Sequence, residues 1–167
     1  MDALDEIAAA RGHVSNLWRS LKEDEPFLRA AYRLYESAMH DSGGLPTRDR
    51  ELLCLATSVA NRCAYCAAHH RRHLRREGFS DDQLARLERG EALAEPRDEA
   101  LRGLANALAT EAAAPVASHR HALRSFGLDD LAFQQAVQVC AAYALFNRLA
   151  LALETPLEPG FLQPPGA

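Results

Sequence analysis

The stretch from Glu51 to Ala60, ELLCLATSVA, is apolar nearly all the way round a helix. A helix without a polar face has to be covered on every side, so it reads as the central rod of a bundle. Thr47 stands where a cap is expected. Asp49 and Glu51 fall in the first turns, where the positive end of the helix dipole favours acids.

The flanking segments supply the cover. Pro26 opens a helix in which Phe27, Ala30, Ala31, Leu34, Tyr35 and Ala38 recur at three and four residues, and the stretch Asp41–Pro46 stops it. Asn61 ends the central rod, and the helix that follows closes at Gly78. Ser80 and Gln83 spell a capping box for a short helix ended by Gly90. Pro96 to about Thr110 is amphipathic; another helix starts at Pro115 and stops at Gly127. A long helix from Asp129 to about Leu153 precedes a tail rich in Pro and Gly. Ala and Leu dominate over β-branched residues, and no pair of strands is evident. The expected fold is all-α, one domain over 1–167, with about six to eight helices. Its core should span about 26–153, with 1–13 and 155–167 flexible or docked at a subunit contact.

The net charge of −4 argues against nucleic acid as a main partner. No apolar run is long enough to span a membrane. The start, MDALDEIAAARGH, is acidic and lacks the basic and apolar regions of a signal peptide. The expected location is the cytoplasm, where the four cysteines stay mostly reduced and a C-x-x-C pair points to catalysis or metal binding.

That pair is Cys63 and Cys66, in NRCAYCAAHHRRHLRREG. On a helix turning about 100° per residue, His70 projects between the two cysteines and, one turn on, leans back over Cys66. The cysteines lie in the first turns, where free backbone N–H groups favour a thiolate. A histidine can take the thiol proton and a carboxylate can orient the histidine. Glu51 is the candidate carboxylate, provided the two helices pack side by side.

Other readings compete. Haem attachment needs a histidine directly after the second cysteine, and Ala67 stands there. Zinc could take Cys63, Cys66 and His70, with His69, His73 or Glu51 as a fourth ligand. A non-enzymatic redox sensor or zinc-binding module is thus the alternative from another class. Cys54 and Cys140 read as buried and inert, and His69 and His73 as solvated or hydrogen-bonded. Tyr65 reads as a packing residue, and Trp18, Phe27 and Tyr35 as core or subunit-contact residues. Arg71, Arg72, Arg75 and Arg76 read as a solvated helix end that offsets the dipole, with a site for an anion or acidic partner as the alternative. His119 and His121 fall in a polar stretch with no catalytic pattern.

The order Glu51, Cys63, Cys66, His70 resembles the signature E-x(11)-C-x-x-C-x-x-x-H of the alkylhydroperoxidase D-like branch of the carboxymuconolactone decarboxylase family. GLPTRDRELLCLATSVANRCAYCAAHH is similar to its central helical pair, and GLDDLAFQQAVQVCAAYALFNRLALAL to the closing helix of its peroxidase-related members. The resemblance implies an all-α fold assembled as trimers or hexamers. It implies that Cys66 attacks a hydroperoxide, that Cys63 resolves the product to a disulfide, and that His70 and Glu51 form a proton relay. It also implies a lipoyl or thioredoxin-like dithiol as reductant and no organic or metal cofactor, and the same thiols would serve a small disulfide as substrate. Characterised members carry a histidine just before the second cysteine. Here that residue is Tyr65, which is no base near neutral pH, so proton transfer rests on His70.

Overall fold

The computed structural model of the chain describes residues 2–40, 43–110 and 116–161. These form nine α-helices and one 3₁₀ turn, with no strand among the described residues. The helices are α1 (Ala3–Arg11), α2 (Asn16–Ser20), α3 (Glu25–His40), α4 (Thr47–Ala60), α5 (Ala64–Arg76), α6 (Asp81–Glu88), α7 (Pro96–Thr110), α8 (Ala117–Ser125) and α9 (Asp130–Ala152). None is long and apolar enough to cross a membrane.

The apolar-all-round rod is the hub. α4 packs against α5, α7 and α9 and also meets α3 and α6. Every residue from Asp49 to Ser58 is buried. Its charged start is absorbed by side chains. Arg48 grips Asp98 with two bonds of 2.7 Å, and Arg97 of α7 grips Asp49 at 2.7 and 2.6 Å. Both aspartates are almost fully buried, so each depends on its fork of donors. Arg50, fully buried, donates to the carbonyls of Leu45 and Ala38 at 2.9 and 2.5 Å and so fixes the chain ahead of α4.

The helix count exceeds the six to eight expected, because the weakly periodic N-terminus supplies two short helices. Asp2 caps α1 through the Asp5 N–H at 2.8 Å, Ile7 is buried, and Arg29 of α3 holds both Glu6 and Glu25. Helices this short are held by tertiary packing, which periodicity does not report. Thr47 is not the cap of α4. It is the first helical residue, and Pro46 takes the cap position without a side-chain bond. The capping box Ser80–Gln83 and the Asp129 cap of α9 are formed. Pro115, expected to start a helix, lies outside the described residues, as does the tail beyond Phe161.

α4 and α5 are joined by a turn of three residues. The N–H of Arg62 bonds to Val59 O at 2.9 Å and that of Cys63 to Ser58 O at 2.8 Å, a Schellman ending with Arg62 at φ 57°. α5 ends the same way, with Gly78 at φ 92° in the equivalent place. Arginine in the left-handed region costs about 1–2 kcal/mol. That turn makes the residue that finishes α4, Cys63, also the residue that starts α5.

Candidate active site

Cys63 is the N-cap of α5, and Cys66 lies in its first turn. Both are reduced and buried. The Cys66 thiol hydrogen-bonds to the Cys63 sulfur, and this contact lowers the Cys63 pKa to about 7 against the opposing effect of burial. The backbone N–H groups of Cys66 and Tyr65 add to it without reaching full cap-bond geometry. Cys66 is shifted the other way, raised by its bond to Cys63, by burial and by the charge on Cys63. The first proton lost by the pair thus leaves its charge on Cys63, while Cys66 keeps its proton. The resemblance assigned attack to Cys66; the first charge settles on its neighbour, because the Cys66 thiol donates to the Cys63 sulfur.

One turn on, His70 meets Glu51 of α4 at 2.6 Å between Nδ1 and Oε2. Burial works to raise the Glu51 pKa. The charge and hydrogen bond of His70 outweigh it, so the carboxyl stays below its ordinary range. An ionised carboxylate only accepts, so Nδ1 donates to Glu51 and Nε2 is the ring nitrogen left for another partner. The ring packs edge-on against Tyr143 of α9, 4.5 Å between centroids. Cys66, His70 and Glu51 line one cavity of about 440 Å³. Cys63 lies instead on a second hollow of about 700 Å³, beside Arg62, Arg71 and Arg75.

A residue that periodicity did not find completes the first cavity. Glu158, in the Pro-rich tail, accepts the Asn16 N–H at 2.8 Å and the Tyr65 hydroxyl at 2.9 Å on Oε1, and His69 Nε2–H at 2.8 Å on Oε2. Burial raises its pKa, but the Asn16 N–H and its other partners prevail and hold it low. The Phe161 ring then lies tilted against His69, 4.3 Å between centroids. The stretch 155–161 is therefore a strap along the cavity, which Glu158, Gly160 and Phe161 line. Tyr65, read as packing, is its anchor. The hydroxyl also accepts the Leu17 N–H at 3.0 Å, and burial pushes the phenol pKa up.

The remaining expectations sort by burial. Cys54 donates to Met39 Sδ at 3.5 Å, and burial raises its pKa well above normal. Burial pushes Cys140 up to about 12. His69 and His73 are half-buried, and burial lowers both pKa values. Trp18 is core, whereas Phe27 is exposed. The arginines of α5 divide. Arg71 pairs with Glu88 at 2.7 Å and Arg75 with Asp81 at 2.5 Å, both acids at α6, while Arg72 and Arg76 line the cavity of Cys66. Among the described residues no three of His, Cys, Asp and Glu gather into a metal-binding group.

The model of the carboxymuconolactone decarboxylase family matches residues 25–107, which include all four signature residues. No curated protein matches the sequence. Among solved structures, the chain is similar to an alkylhydroperoxidase AhpD core, an uncharacterised peroxidase-related protein from Ralstonia eutropha JMP134. The two are 25% identical, with 95% of this chain and 84% of that chain covered and a TM-score of 0.83. A peroxidase-related protein from Silicibacter sp. TM1040 is 21% identical over 95% of this chain and 84% of its own, with a TM-score of 0.81. A debrominase in complex with 2,3,4-tribromopyrrole shares the fold at 16% identity over 93% and 83%, with a TM-score of 0.76.

Proposed function

Since the chain belongs to the carboxymuconolactone decarboxylase family, in its alkylhydroperoxidase D-like branch, we propose that it is a thiol-dependent peroxidase that reduces hydroperoxides through Cys66 and Cys63. The observation that carries this reading is the shared cavity of Cys66 and the His70–Glu51 pair.

The chemistry follows from the resting charges. A hydroperoxide enters beside Cys66. His70 Nε2 takes the Cys66 proton, and Glu51 stabilises the imidazolium that forms. The Cys66 sulfur bonds to one peroxide oxygen as the O–O bond breaks. The departing alkoxide takes the proton from His70 and leaves as the alcohol, and Cys66 becomes a sulfenic acid. Cys63, as its thiolate, attacks the Cys66 sulfur. The S–S bond forms and hydroxide leaves, taking a proton from solvent to give water. Two thiols have lost two electrons, and the peroxide has gained them. A lipoyl or thioredoxin-like dithiol reopens the disulfide by exchange. Assembly as a homo-oligomer belongs to the same reading and is supported by the exposed Leu131, Leu145 and Leu151 on α9.

Steady-state peroxide consumption with an external dithiol tests the proposal. Cys66→Ser should abolish it, Cys63→Ser should permit one oxidation to a trapped sulfenic acid, and His70→Gln should slow turnover by about 10²–10⁴. Normal turnover in both cysteine variants rules it out.

A further inference from the structure

The cavity of Cys66 has a gradient along its length. Its floor is buried: Glu51, Cys66 and His70 are each less than a tenth exposed. Its rim is cationic. Arg72 and Arg76 are exposed, and Arg11 is half-buried with its guanidinium 4.6 Å over the Tyr35 ring. None of these three arginines has a carboxylate partner among the described residues, whereas Arg71 and Arg75 on the same helix do. The two carboxylates of the cavity are both committed, Glu51 to His70 and Glu158 to the strap.

An aromatic wall joins rim to floor. Tyr35 meets Trp18 at 5.6 Å, Trp18 meets Phe146 at 5.8 Å, Phe146 meets Tyr143 at 5.6 Å, and Tyr143 meets His70 at 4.5 Å. Each contact is edge-to-face, so the wall is a fixed apolar surface that begins under Arg11 and ends at the imidazole. A polar oxidant such as hydrogen peroxide uses neither the wall nor the rim.

We propose that the substrate is an organic hydroperoxide with an aromatic or apolar body and an anionic group at the end remote from the O–O bond. The body lies along the wall, the hydroperoxide reaches Cys66, and the anion ends among Arg11, Arg72 and Arg76. The proposal rests on the peroxidase reading for its chemistry, in which the thiol pair becomes a disulfide and the peroxide becomes an alcohol and water. Its recognition argument stands on the cavity alone.

A matched pair of probes isolates the charge: cumene hydroperoxide and its para-carboxylate. The full chain with a dithiol reductant should favour the carboxylate by about tenfold or more in kcat/KM, the scale of a charge-assisted contact. The preference should sit mainly in KM, shrink toward 1 M salt as the Debye length falls to about 3 Å, and collapse in Arg72→Gln/Arg76→Gln and in Arg11→Gln. Equal kcat/KM for the two probes, or a preference that survives all three substitutions, overturns the proposal. Calorimetric binding of the unreactive alcohols, 2-phenyl-2-propanol and its para-carboxylate, separates this from the peroxidase reading. If neither peroxide is consumed yet the carboxylated alcohol binds more tightly and loses that advantage in the arginine variants, the ligand class stands and the peroxidase reading falls. If the two alcohols bind alike, the ligand class falls whatever the turnover.

Discussion

A thiol with a pKa near 7 is half ionised at neutral pH, and Cys63 owes that position to a donor three residues away. The dithiol titrates as a unit, so its first proton loss belongs to the pair even though the charge settles on Cys63. Thiolate absorbance of the reduced protein should therefore rise with a midpoint of about 7. Cys66→Ala, which removes the S–H donor, should move that midpoint up toward about 8.5. An unmoved midpoint means that the helix start alone sets the charge. The four signature residues were legible as a group because each is local to one helix or to two consecutive ones: 19 residues separate His70 from Glu51. Glu158 was not legible. It stands 89 residues from His69, in a segment whose prolines and glycines signal only an end to the helix. No local pattern reports a partner at that separation.

Among the elements, the strap shows what periodicity misses and tertiary contact supplies. Residues 155–161 have no apolar repeat, yet Thr155 pairs with Ser20 at 3.1 Å, and Pro156 O accepts Asn16 Nδ2–H at 2.9 Å. Glu158 alone satisfies the Asn16 N–H, the Tyr65 hydroxyl and His69. Glu158→Ala leaves those donors short of a partner at a cost of about 1–3 kcal/mol. It should raise hydrogen exchange in the C-terminal segment and at Asn16, while the amides of α4 stay protected. Unchanged exchange at both places means that the strap is held by Phe161 and Thr155 instead. The long helices α3, α4, α7 and α9 were legible from their apolar patterns, and α9 from its Asp129 cap as well. The helices α1 and α2 were not, since packing on α3 and α9 holds them.

Over the molecule as a whole, the shifted groups around the cavity act together. Glu51 and Glu158 hold their charges more tightly folded than unfolded, so their contribution to stability is complete above about pH 4.3 and is lost as acid titrates them in the folded chain. His69 and His73 are kept neutral by burial, so the unfolded chain takes up protons before the folded one as pH falls below about 6.5. Both effects have the same sign. The thermal midpoint should fall as pH drops below about 6.5, where the histidines act, and fall further below about pH 4.3, where the carboxylates titrate, and a flat or rising midpoint contradicts the assignment of these charges. One arrangement bears on kinetics as well. The two sulfurs line different hollows, Cys66 the aromatic cavity and Cys63 the neighbouring one beside Arg62, Arg71 and Arg75, with Arg72, Gly160 and Phe161 shared between them. A spent alcohol can thus linger on its side while the incoming dithiol reaches the oxidised pair from the other. Added alcohol should slow the cycle without competing against the reductant, and double-reciprocal plots should change intercept as well as slope.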